Sequence, residues 1–95
     1  MGFDKLVHQP TRLQIFAHLY ANGETSFTDL TTALDVTEGN LASHIAKLEE
    51  NECVAVEKRF VDRKPQTTYR LTEKGEDLFE SHVRTLENLI SDLDT

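Results

Sequence analysis

TEGNLASHIAKLEENECVAVEKRFVDRKPQTTYRLTEKG, residues 37–75, reads as a helix, two strands joined by a cationic tip, and the start of another helix. Thr37 is an N-cap residue type whose hydroxyl can accept from an orphan backbone N–H. Leu41, Ile45 and Leu48 follow at spacings of four and three, which makes one apolar stripe. At about 100° per residue, Gly39, Ser43, Ala46, Lys47 and Glu50 fall on the opposite side, with Asn40 and His44 on a flank. That side is small and polar, as a groove-facing surface can be.

Beyond the helix, Val54 and Val56 alternate with Ala55 and Glu57, and Thr67, Tyr69 and Leu71 alternate with Thr68 and Arg70. Period-two patterns of this kind predict two half-buried strands. The tip between them is Val61-Asp62-Arg63-Lys64-Pro65-Gln66. From Lys58 to Arg70 five cations, Lys58, Arg59, Arg63, Lys64 and Arg70, face Asp62 alone, a surplus of four positive charges in a chain of net charge −7. Cations on an exposed edge discourage strand pairing with other molecules. Arg63 or Lys64 can also meet phosphates or enter a narrow minor groove, whose negative potential favours Arg. The two roles are compatible.

Working outward, Pro10 opens a helix with Leu13, Ile15, Phe16, Leu19 and Tyr20 at helical spacing, and Asn22-Gly23 stops it. Phe3, Leu6 and Val7 form a shorter apolar patch ahead of it, a helical arm with little to bury against in so small a domain. Thr25 or Ser26 precedes Phe27, Leu30, Ala33 and Leu34, so residues 26–52 predict helix, tight connection, helix. Residues 24–26 are placed as a short third strand. Thr72 caps a long last helix in which Phe79, Val83, Leu86, Ile90 and Leu93 step by four, three, four and three. A 3.5-residue repeat marks a helix–helix seam. It runs beyond the reach of a core this small, so a dimer seam is expected.

Ninety-five residues predict one domain, near the size at which a single core is barely self-sufficient. Oligomerisation would therefore help. No stretch approaches the roughly 20 apolar residues that cross a bilayer, and MGFDKLVHQ lacks the pattern of a secretory leader, so a cytoplasmic location and no membrane partner are expected. The single cysteine, Cys53, excludes an intramolecular disulfide and reads as a buried small hydrophobe rather than a redox sensor. His8, His18, His44 and His82 lack the close pairing of zinc sites, so no metal and no cofactor are expected. His18 reads as a partly buried residue. His82 on the seam helix could meet its symmetry mate and sense pH or metal, but it lacks a second ligand at usable spacing. The four glycines, Gly2, Gly23, Gly39 and Gly75, are dispersed, and no nucleophile or carboxylate pair converges, which argues against an enzyme.

The acidic charge is uneven. Residues 73–95 hold Lys74 and Arg84 against seven acids, so most of the excess lies on the last helix. Repulsion from it is screened beyond about 8 Å at physiological salt.

His8-Gln9-Pro10-Thr11-Arg12-Leu13-Gln14-Ile15, Thr37-Glu38-Gly39-Asn40-Leu41, Arg63-Lys64-Pro65 and Thr68-Tyr69-Arg70-Leu71-Thr72-Glu73-Lys74-Gly75 together resemble the short one-domain winged-helix transcriptional regulators related to the MarR and ArsR families. The resemblance covers nearly the whole chain. It implies a mainly α fold with a small β-hairpin, a winged helix-turn-helix of α+β class, spanning residues 1–95. It also implies a homodimer built from the terminal helices, a recognition helix at about 38–51 and a wing at about 60–67. The function implied is regulation of transcription by binding duplex DNA at a pseudo-palindromic operator, with repression as the expected sign. By position, Thr37, Asn40, Ser43, His44 and Lys47 would be helix contacts, and Arg59, Arg63 and Lys64 wing contacts. Phe3, Leu6, Val7, Phe79, Val83, Leu86, Ile90 and Leu93 would form the dimer surface.

Two departures from the family stand out. Relatives often carry arginine where this chain has Ser43 and Ala46, so bidentate guanine reading is absent there and Asn40 to adenine, thymine methyls or DNA shape would carry specificity. The Cys motif of ArsR-type metal sensors is missing from the helix at 28–34. The sequence shows no ligand pocket and leaves any small-molecule effector unknown, although a cleft between the terminal helices and the core of a dimer could hold a small apolar molecule. The alternative reading is a winged helix used as a protein-interaction module, with the acidic last helix docking a partner and the recognition face idle.

Overall fold

The computed structural model describes residues 4–93, and Phe3 of the expected dimer surface lies outside them. The elements are α1 (Lys5–His8), α2 (Pro10–Asn22), β1 (Thr25–Ser26), α3 (Phe27–Leu34), α4 (Glu38–Glu50), β2 (Val54–Val61), β3 (Lys64–Leu71) and α5 (Glu73–Leu93). The three strands form one antiparallel sheet in the order β1-β3-β2. This is the winged-helix architecture, with the third strand where the sequence places it.

Each helix starts where a side chain accepts an orphan N–H. Gln9 accepts from Arg12 at 2.8 Å with Pro10 at the first turn, Ser26 accepts from Asp29 at 3.1 Å, and Thr37 accepts from Asn40 at 3.1 Å. Helix α2 ends at Gly23, whose φ of 76° needs the glycine and whose N–H reaches the Leu19 carbonyl.

Ile15 and Phe16 of α2, Leu30 of α3, Leu41, Ile45 and Leu48 of α4, and Val54 and Leu71 of the sheet close one core, with Phe79 of α5 stacked on Phe16. Full burial of one such side chain contributes about 1.5–3 kcal/mol. Helix α5 is bolted to the base of the hairpin. The Thr72 hydroxyl accepts from the Gly75 N–H at 3.0 Å and donates to the Glu52 carbonyl at 2.6 Å, and Thr72 N–H donates to the Cys53 carbonyl at 3.0 Å. A Cβ on Gly75 would collide with that Cys53 carbonyl, so the glycine is set by close approach. Cys53 is buried as expected, and burial pushes its thiol pKa up.

Three sequence expectations change. Helix α1 is not an idle arm: Val7 is fully buried in the chain's own core and Leu6 packs against it, because α1 folds back onto α2 and α5. Along α5, the first half of the stripe faces inward. Phe79 is buried against Phe16 and Tyr20 of α2, while Ile90 and Leu93 are 61% and 83% exposed. Val7 and Phe79 are thus already enclosed within the protomer. His82 is buried too, its ring tilted against that of His8 with centroids 5.5 Å apart, so it faces α1 of its own chain rather than a symmetry mate.

Candidate nucleic-acid interface

The apolar stripe of α4 is sunk in the core, which turns the other side outward. Thr37, Gly39, Asn40, Ser43, Ala46, Lys47 and Glu50 are all exposed. His44, on the flank, is half-buried, and its surroundings explain why.

Arg12 of α2 reaches three places. Its Nε donates to the Leu6 carbonyl at 2.7 Å, Nη2 donates to the Lys5 carbonyl at 3.2 Å, and Nη1 lies 3.3 Å from His44 Nδ1. A guanidinium only donates, so the imidazole accepts at Nδ1 and its own proton sits on Nε2. Burial, and secondarily the Arg12 charge, push the His44 pKa below its usual value, which favours that neutral tautomer near pH 7. His44 thereby presents one donor and no positive charge. Arg12 itself fixes the C-terminal carbonyls of α1 and the flank of α4 to one point. This role of Arg12 is not legible in the sequence, since no spacing rule predicts contacts 6 and 32 positions away.

The hairpin is longer and tighter than expected. β2 and β3 pair without a break from Val54↔Leu71 to Val61↔Lys64, leaving a turn of only Asp62 and Arg63. Both have positive φ, 52° and 67°, which is the type I′ geometry of two-residue hairpins. Asn-Gly is its usual sequence, so Arg63 holds a left-handed backbone that its side chain disfavours. Residues 57–65 are all exposed, so the distal half of the hairpin projects from the body.

Wing cations divide into two groups. Arg59 Nη2 binds both oxygens of Glu24 at 3.1 Å and Glu57 at 2.8 Å, so two carboxylates neutralise it in place. Thr68 donates to the same Glu24 at 3.1 Å. This cluster braces β1 against the sheet, and Arg59 is therefore engaged rather than offered. Lys58, Arg63 and Lys64 enter no ion pair among the described residues. They carry the outward charge of the wing.

The pair Val61↔Lys64 flanks the turn and exchanges both hydrogen bonds, so the alternation makes Phe60↔Pro65 a non-bonded pair. The missing N–H of Pro65 thus lies on the outer edge of β3, beyond the short reach of β1, where it blunts addition of a foreign strand. Along that edge a concavity of about 560 Å³ is lined by Phe27, Thr28, Lys64, Pro65, Thr67 and Tyr69. Sequence alone did not reveal it, because the wing must lean toward the start of α3 to form it. Among the described residues no cluster of three or more His, Cys, Asp or Glu is placed to hold a metal ion, and no helix is long and apolar enough to cross a membrane.

The profile of the winged helix DNA-binding domain family matches residues 11–90. The chain belongs to that family. The match takes in α4 and the whole hairpin. A transcriptional regulator homologue from Pyrococcus horikoshii OT3 superposes with a TM-score of 0.88 at 33% identity, covering 95% of this chain and 89% of that one. An uncharacterized protein of Methanocaldococcus jannaschii, MJ0432, is 29% identical over 90 residues, 95% of this chain and 98% of its own length. Transcriptional regulator Tm0710 of Thermotoga maritima shares the fold, with a TM-score of 0.76 at 22% identity over 90% of this chain and 59% of that one. The resemblance to short winged-helix regulators thus holds along the chain, and the family and fold are those of regulators rather than enzymes.

Proposed function

We propose that this protein is a cytoplasmic transcriptional regulator, a repressor, that binds a pseudo-palindromic duplex operator as a homodimer. The observation that carries the reading is the pairing of an uncovered polar face on α4 with the cations Lys58, Arg63 and Lys64 on the distal half of the hairpin, none of which enters an ion pair among the described residues. Two recognition helices would enter successive major grooves about 34–36 Å apart. Asn40 and Ser43 lie on the face that would meet base edges, with Thr37, His44 and Lys47 toward the backbone. Arg63 and Lys64 would hold flanking phosphates or the minor groove.

Dimerisation is supported by the far half of α5, where Leu86, Leu89, Ile90 and Leu93 continue the apolar stripe past the protomer's own core. Leu6 and Val83, half-buried at the edge of that core, are placed to complete the seam from the near side. The whole chain then acts as one DNA-binding unit whose terminal helices pair.

The cations Lys58, Arg63 and Lys64, which enter no ion pair among the described residues, disfavour the alternative of a protein-interaction module in which the acidic last helix docks a partner and the recognition face is idle. Binding to mixed-sequence duplex DNA across a salt series tests the proposal. A steep fall in affinity with salt, from release of condensed counterions, is the expected result. No binding at low salt would refute it.

A further inference from the structure

Phe60 is 77% exposed and Val61 is 42% exposed, at the far end of a hairpin whose exposed distal half is, Pro65 apart, otherwise polar and charged. Single exposed apolar residues are common on protein surfaces. This one is distinguished by what surrounds it. Pro65 stands directly opposite Phe60 as a non-bonded pair, the closer of the two antiparallel spacings, so the ring and the pyrrolidine form one apolar unit on one face. Lys58 stands two residues behind Phe60 on that same face, and Arg63 and Lys64 follow at the turn. An apolar partner surface would leave those three charges desolvated and unpaired, whereas a surface that is anionic outside and apolar within accommodates both. Duplex DNA at an opened base step is such a surface: phosphates line its rim and stacked bases its interior.

Resting on the DNA-binding reading above, we propose that the wing is a wedge, with Phe60 backed by Pro65 entering the minor groove and partly unstacking one base step while Lys58, Arg63 and Lys64 hold the flanking phosphates. Inserted apolar side chains of this type kink and unwind the duplex. The type I′ turn and the unbroken ladder supply the stiffness that insertion requires, because a wedge on a pliant loop would fold aside. In this account Phe60 contributes preference for easily unstacked steps such as TA, at positions no side chain hydrogen-bonds.

The test needs no knowledge of the operator. A relaxed plasmid is incubated with protein, re-equilibrated with topoisomerase I, stripped of protein and resolved into topoisomers, with binding to the same plasmid followed by gel retardation. Wild type is expected to displace the topoisomer distribution. Phe60→Ala is expected to bind within about tenfold of wild type, since the lost contact is offset by the unstacking it no longer causes, and to leave the distribution unmoved. Phe60→Trp should restore the displacement. Because Phe60 lies outside the core, all three should melt alike. A displacement that persists in Phe60→Ala, or wild-type binding with no displacement, would overturn the wedge and leave DNA binding intact. Failure of wild type to bind at low salt would remove the DNA-binding reading and the wedge with it. A change in sedimentation of Phe60→Ala without DNA would assign the residue to contact with a second copy and overturn the proposal.

Discussion

The recognition helix and the wing tip both face solvent, yet they are built on opposite principles. Helix α4 is pinned by three buried side chains, capped by Thr37 and held on its flank by Arg12, and among its outward residues it offers one lysine and no arginine. The wing tip stands clear of the core, holds a strained backbone at Arg63 and carries uncompensated charge. The difference teaches a division of labour: rigid, small and polar where bases would be compared, projecting and cationic where the duplex would be gripped. Such a division keeps affinity and selectivity on separate residues, so each can be removed without the other.

The strongest way to break the comparison is to unpair the two copies. Ile90→Glu places a charge on the uncovered stripe of α5 and should give monomers on a sizing column, with the salt slope of DNA binding about halved because half the phosphate contacts are gone. Next in size, Arg63→Ala with Lys64→Ala should weaken all duplexes alike by about a hundredfold, taking about 0.7 kcal/mol for each of the four exposed charged contacts of the dimer. The same variant, which removes two cations from each of the two wings of the dimer, should reduce the slope of log affinity against log salt by about 3.6. Asn40→Ala, measured on the preferred site and on a scrambled duplex, should cost about 1–3 kcal/mol on the first and little on the second. The reverse pattern for these two variants would dissolve the division.

Smaller effects sharpen the account of α4. Arg12→Ala removes donors to two α1 carbonyls and to His44, and about 1–2 kcal/mol of stability should go with them. At this chain length that lowers the melting temperature by about 4–8 °C per kcal/mol. The smallest is a pH effect. Burial, and then the charge of His8, hold the His82 pKa below its ordinary value, with Asp4 pulling the other way. The unfolded chain therefore binds the proton more readily, so this contribution to stability is full above the unfolded value near 6.5 and is lost as pH falls toward the folded one. Wild type should lose more melting temperature between pH 7.5 and 5.5 than His82→Phe does.

Most of the fold was legible in the sequence because its elements announce themselves by period. The four-and-three spacing of Leu41, Ile45 and Leu48 and the alternation through Val54, Val56, Tyr69 and Leu71 each allow one buried face, and the structure buries those faces. What period cannot say is where an element leaves the core. Phe79 and Ile90 belong to one repeat on α5 and end on opposite sides of that boundary, and Val7 reads as part of a dimer surface only because its cover comes from α2 and α5. Contacts between distant positions were equally silent: Arg59 finds Glu24 at 35 positions, and Arg12 finds His44 at 32. The turn went unread because Asp62-Arg63 lacks the Asn-Gly signature of the geometry it adopts. The exposed polar face of α4 and the cations of the tip were legible as candidates, since both follow from which residues are not apolar.

The most direct test of the division between reading and gripping is selection of bound sequences from a pool of random duplexes, at low and moderate salt, by wild type, by Asn40→Ala and by the Arg63→Ala, Lys64→Ala variant. The account predicts a palindromic motif with wild type, the same motif recovered weakly and only at low salt with the wing variant, and a degraded motif with Asn40→Ala. Enrichment of no motif by wild type at either salt would contradict it.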